Sequence, residues 1–83
     1  MRIYMQTPIG EDVIPKYYHL HLQEDLLEGW TLIRESGRQG SGGRVVKTHF
    51  RDRESAELAL QKARDDQLKR GYRVVFVQGS DQP

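Results

Sequence analysis

The chain has no cysteine, so neither a disulfide nor a thiolate metal site is available to it, and its composition fits a reducing compartment. Long apolar runs are also missing. Nothing approaches the ~20 residues that a membrane-spanning helix needs, and the N-terminus carries no apolar stretch of signal-peptide length. A soluble, cytoplasmic protein without membrane association is expected. Proline is scarce, at three in 83 residues, and tryptophan occurs once. An excess of one charge is absent too, since 13 basic residues stand against 12 acidic ones, for a net charge of +1. Overall charge therefore selects no partner. A chain of this length makes a single domain, residues 1–83, that buries about 60–65% of its unfolded surface around one core.

What is present is patterned. A short strand is possible at residues 2–6, ahead of a stretch rich in proline, glycine and acid. The segment KYYHLHLQED alternates strictly, with Tyr18, Leu20 and Leu22 on one face and Tyr17, His19, His21 and Gln23 on the other. Period two over this length is the mark of a half-buried strand. After LLEG comes WTLIRE, in which Trp30 and Leu32 share a face while Ile33 makes the other partly apolar, leaving the direction of Arg34 open. RVVKTHF is the next β run, with Val46 and Phe50 facing inward and Lys47, His49 and Arg51 outward. The pattern then turns helical. Asp52 suits an N-cap, and Ala56, Ala59, Leu60 and Ala63 form an apolar stripe at i, i+3, i+4, i+7. Asp65–Lys69 and Asp66–Arg70 have the favourable acid-before-base i, i+4 order, and Gly71 can close the helix. YRVVFV reads as a last strand and residues 78–83 as a frayed tail. The order β-β-β-β-α-β with short hairpins predicts an α+β fold, a mostly antiparallel sheet with one helix on one face.

Several chemistries fail on context. In ESGRQGSGGR, residues 35–44, Gly37 and Gly42 have the spacing of a phosphate loop, but Gly43 and Arg44 replace the Lys-Ser/Thr and a strand follows instead of a helix. The dinucleotide fingerprint fails for the same reason. His19 and His21, with His49 on a neighbouring strand, have a spacing some metal sites use, yet no carboxylate is evidently placed beside them. The serines lie in loops or at the helix start without a strand-borne base, so no catalytic apparatus, cofactor or small-molecule substrate is expected. The charge distribution is more informative. Residues 34–53 hold six basic residues, Arg34, Arg38, Arg44, Lys47, Arg51 and Arg53, against Glu35 and Asp52, inside an otherwise acidic chain. Arginines beside a glycine-rich turn suit phosphate oxygens, through the guanidinium fork and the close approach of backbone amides. A solvated hairpin is the alternative reading of the same residues.

The string KYYHLHLQEDLLEGWTLIRESGRQGSGGR, followed by a phenylalanine, a capped helix and KRGYRVVF, resembles the WGR domain family, over residues 16–77. The family is found in poly(ADP-ribose) polymerases and in bacterial proteins, including small stand-alone members. The resemblance implies nucleic-acid binding, and in the polymerases engagement of DNA breaks, where the aromatic of a Trp-Gly-Arg triplet packs against the DNA terminus. Gly37 and Arg38 match the triplet's glycine and arginine, Gly40 and Gly43 the loop glycines, and Trp30 a buried aromatic earlier in the strand. Ser36 stands where the family has tryptophan. The expectation is a non-enzymatic DNA-binding module, salt-sensitive and sequence-nonspecific, that uses Gly37, Arg38, Gln39, Arg44 and Lys47. The alternative is a protein-docking or regulatory module that uses the same hairpin, with Ile33, Val75 and Val77 on the open sheet face as its apolar centre.

Overall fold

A computed structural model of the chain describes residues 1–10 and 13–79. The elements are β1 (Arg2–Gln6), β2 (Lys16–Glu24), β3 (Trp30–Arg38), β4 (Arg44–Phe50), α1 (Arg53–Lys69) and β5 (Arg73–Gln78). All five strands join one antiparallel sheet in the order β4-β3-β2-β1-β5, so the expected α+β architecture is the one observed. β1 carries the weakest sequence signal, only five residues long, yet it lies between β2 and β5. Its alternation places Ile3 and Met5 beside Leu20, and these three are the largest fully buried side chains. Each contributes about 1.5–3 kcal/mol relative to exposure. The strand is short but central.

α1 leaves β4 at one edge of the sheet and delivers the chain to β5 at the other, crossing one face. Asp52 caps it as expected, its Oδ1 accepting the Ser55 amide at 2.7 Å. At the other end Gly71 adopts φ +97°, its N–H bonding the Leu68 carbonyl and that of Tyr72 the Gln67 carbonyl. This is a Schellman closure, for which glycine is the residue with no Cβ penalty. The narrow stripe packs onto the sheet: Ala56 and Leu60 are buried, Ala59 and Ala63 partly so, against Ile3, Met5, Leu20, Leu22 and Leu32. The expected ion pairs are replaced by others. Asp66 pairs with Lys62 at 3.0 Å and Asp65 with its neighbour Arg64, also at 3.0 Å, while Lys69 and Arg70 act on Asp66 as more distant charges.

Strand register then sorts every side chain to one of two faces. On the helix side lie the partners Leu22–Leu32, Leu20–Arg34, Tyr18–Ser36 and Lys16–Arg38, continued into β4 by Arg34–Val46 and Ser36–Arg44. The open face carries Tyr4–His19, Gln6–Tyr17, His21–Ile33, His19–Glu35 and Ile33–Lys47. Val77 lies opposite Ile3, on the helix side, so the expectation that it joins Ile33 on the open face is corrected. β5 is bulged against β1 between Tyr4 and Met5, and this offset moves its valines relative to a simple alternation. The last strand reaches Gln78, opposite Arg2, and residues 80–83 of the expected tail lie outside the described residues.

Candidate nucleic-acid interface

The glycine-rich stretch is the β3–β4 hairpin. Arg38 ends β3 and its carbonyl accepts the Ser41 amide at 3.1 Å, while Gly40 turns the chain at φ +82°. Gly37 and Gly43 have a different role, which is close approach. A Cβ on Gly37 would stand 3.1 Å from the Cα of Gly43 and 3.3 Å from Tyr17, and one on Gly43 would run into the Tyr17 hydroxyl. The turn alone accounts for these glycines. No anion needs to be invoked for them.

The charged residues are divided between the faces. Ser36 lies on the helix side but past the helix, in a groove of about 220 Å³ lined only by sheet residues, Tyr18, Arg34, Ser36, Arg44 and Val46. Lys16 and Arg38 face each other one pair further toward the hairpin end. Lys16, Arg34, Arg38 and Arg44 thus share the face that holds Ser36. None of the four is paired with a carboxylate among the described residues. Glu35, the acid nearest in sequence, points to the other face and accepts the Tyr17 hydroxyl at 2.9 Å. That hydrogen bond, with burial behind it, holds the Tyr17 hydroxyl above its ordinary pKa. The groove is cationic without internal neutralisation.

Of the expected site residues, Gly37, Arg38 and Arg44 surround Ser36, but Lys47 does not. Lys47 lies opposite Ile33 on the open face, three residues along β4 from Arg44 and therefore of opposite parity. Gln39 is committed elsewhere: its Nε2 donates to the Tyr4 hydroxyl at 2.6 Å and to Gln6 Oε1 at 3.1 Å, and its backbone N–H bonds the Pro15 carbonyl. The residues that sequence reasoning missed are Lys16 and Arg34. Arg34 also lines the larger groove, of about 310 Å³, between β3–β4 and α1. Lys16 is 22 positions from Arg38 in the chain, and only the β2–β3 register brings the two together.

The histidines do not gather around a common point. His49 Nδ1 stands 2.6 Å from Asp25 Oδ2, a carboxylate not anticipated beside it. Asp25 also accepts from the amides of Leu27 and Gly29 and from the Thr31 hydroxyl. Burial raises its pKa, but the bonds from Thr31, His49 and Leu27 together outweigh that and hold the carboxyl below its usual range. This network organises the β2–β3 turn, in which Glu28 takes a positive φ of 56° and Gly29 packs against the His49 ring and the Phe50 carbonyl. Among the described residues no group of three or more histidines or carboxylates is arranged to hold a metal ion. Trp30, expected in the core, is half-buried at its edge with the Arg53 guanidinium 5.3 Å from its ring centre. Among the described residues no helix is long and apolar enough to cross a membrane.

The family model described as the WGR domain matches residues 2–77, nearly the whole chain and beginning with β1. A comparison with curated proteins finds no match.

Proposed function

Since the chain belongs to the WGR domain family, known in general as a nucleic-acid-binding module, we propose that this domain binds DNA through the cationic groove around Ser36 and carries no catalytic activity of its own. The observation that carries the reading is the set Lys16, Arg34, Arg38 and Arg44 on one face, unpaired among the described residues. Guanidinium forks match phosphate oxygens bidentately, and a hydroxyl at Ser36 adds a neutral donor to the same surface. The ring that lines the groove, Tyr18, is engaged edge-on with Tyr72, and the cations address phosphates, so the contact is made with the backbone and is sequence-independent.

The test is a titration of a labelled short duplex at low salt. Binding is expected for the native protein and weaker binding for Arg38→Ala. Absence of binding to blunt, nicked and single-stranded DNA at low salt overturns the reading. A docking function draws its support from β5, an edge strand whose Val74, Val75 and Val77 remain 40%, 56% and 50% exposed. It predicts a protein partner whose capture survives both nuclease treatment and moderate salt.

A further inference from the structure

The face of the sheet opposite the cationic groove carries a row of rings. Tyr4, on β1, has its ring centre 5.7 Å from that of Phe76 on β5 and 6.2 Å from that of Tyr17 on β2. The planes are inclined by only 13° and 12°, so three rings on adjacent strands stand nearly parallel. The His19 imidazole meets Tyr4 edge-on at 5.8 Å. No helix covers this face. Two of the rings are fixed through their hydroxyls, Tyr4 by the Gln39 amide and Tyr17 by the Glu35 carboxylate. Phe76, on the edge strand, ends the row with 47% of its surface exposed.

The surroundings indicate the chemistry of the occupant. Arg2 and Arg73 flank Phe76 and Tyr4 in the β1–β5 register, and Lys47 lies beyond Ile33. None of these three is paired with a carboxylate among the described residues. Arg2 and His21 line an open concavity of about 410 Å³ at one end of the row. The strand carboxylate on this face, Glu35, is engaged by Tyr17. Tyr4 and Tyr17 bear hydroxyls, His19 an imidazole, and cations form the rim around Phe76, a mixture that suits bases and phosphates better than an apolar protein surface. Parallel rings inside a cationic border fit unpaired bases joined by phosphates.

We propose that the open sheet face is a stacking platform for single-stranded nucleic acid. A base extends the row by stacking on Phe76, and the flanking phosphates lie against Arg2 and Arg73. Preorganisation by Gln39 and Glu35 means that little side-chain freedom is lost on binding. The proposal rests on the reading that the domain binds nucleic acid, but it uses a different face from the duplex groove, so the two are separable.

The experiment compares a labelled oligothymidylate of about 12 nucleotides with a blunt duplex of similar length. It uses the native chain, Phe76→Ala, Phe76→Leu and Arg44→Ala, each checked for folding by circular dichroism. Phe76→Ala and Phe76→Leu are expected to weaken single-strand binding by about 5- to 150-fold, the range of one lost base–aromatic stack. They leave duplex binding unchanged, and Arg44→Ala does the reverse. Phe76→Leu keeps an apolar side chain at this half-exposed position, so a loss there reports stacking and not unfolding. Equal single-strand affinity for native protein and Phe76→Leu overturns the platform, as does an equal loss on both ligands. If the native chain binds duplex but not the single strand, the platform fails and the groove stands. Single-strand binding that depends on Phe76, without duplex binding, supports the platform and removes the groove.

Discussion

The groove around Ser36 makes a prediction about salt that depends on how many cations share its face. Each phosphate neutralised on duplex DNA releases counterions and contributes about −0.9 to the slope of log affinity against log salt. With Lys16, Arg34, Arg38 and Arg44 all engaged, the slope is about −3.6, and affinity falls by about 150-fold between 50 and 200 mM salt. Arg44→Ala removes one contact. The slope then shallows by about one unit and the same change in salt costs about 40-fold. Lys47→Ala removes the same charge from a strand position three residues away, but on the opposite face, and leaves the duplex slope unaltered. Fluorescence anisotropy with a labelled blunt duplex at four or five salt concentrations measures all three slopes. A native slope flatter than about −1, or equal changes for Arg44→Ala and Lys47→Ala, refutes the assignment of duplex binding to this face.

Other perturbations read different parts of the molecule. Ser36→Trp places an indole in the groove between Tyr18, Arg34 and Arg44; it is expected to tighten binding to DNA ends by about ten- to hundredfold, the worth of a stacked base, and unchanged end affinity would show that the hairpin does not meet DNA termini. Leu20→Ala, at a site with no exposed surface, should cost about 2–5 kcal/mol and lower the melting temperature by about 8 °C or more, and a shift below about 4 °C would contradict the placement of the core. Asp52→Ala removes the acceptor of the Ser55 amide and should cost about 0.5–2 kcal/mol in denaturant unfolding, with little effect if the cap is not formed in solution. Stability should also decline on acidification in two stages. His21 is held below its usual pKa by burial, then by Arg2, so the unfolded chain takes up the proton first and stability starts to fall below about pH 6.5. Asp25, Asp52 and Asp66 are held low by the hydrogen bonds they accept; their contribution is complete above the ordinary carboxylate value of about 4 and is lost as pH falls through their lower folded values. Melting temperatures that rise from about pH 7 to about pH 5 would contradict the first assignment, and melting temperatures that do not fall further below about pH 4 the second.

The fold was legible where one local pattern determined it. Strict alternation in residues 16–24 specified both a strand and its faces, and Asp52 with Gly71 bounded the helix to within a residue. The strand at residues 2–6 was faint because five residues give too few alternations, although Ile3 and Met5 became the centre of the core. The site was legible only in part, since its members are joined by register and not by spacing. Arg34 follows two consecutive apolar residues, Leu32 and Ile33, so periodicity could not assign its face until the Leu20–Arg34 pair did. Lys16 opens β2, whose alternation sorted its own residues between two faces but gave no sign that Arg38 lies opposite. Lys47 and Arg44 looked equivalent as neighbours in a basic segment, and an odd separation along a strand set them on opposite faces. The ring row was hidden for a different reason. Phe76 reaches Tyr4 because the helix carries β5 across the sheet to pair with β1, a step that no hairpin rule implies.

The two surfaces, back to back on the sheet, meet at the β3–β4 hairpin, where Tyr17 of the ring row lies against Gly43. Its missing side chain leaves room for the Tyr17 hydroxyl, and an added Cβ would also press on the Ser36 carbonyl at 3.0 Å and on Glu35 Oε2 at 3.1 Å. Strand alternation puts Glu35 on the open face, opposite His19, and the hydrogen bond from the Tyr17 hydroxyl holds its carboxylate against the hairpin there. The glycine therefore serves the ring row: by admitting Tyr17 it lets the Glu35 carboxylate fix that ring. Alternation along β3 and β4 turns Arg34 and Arg44 to one face and Glu35 to the other, where its bond with Tyr17 fixes that ring in the row. The glycines of the stretch that resembled a phosphate loop thus serve the packing of the hairpin, and the proposed phosphate contacts fall to Arg38 and Arg44 of the same stretch.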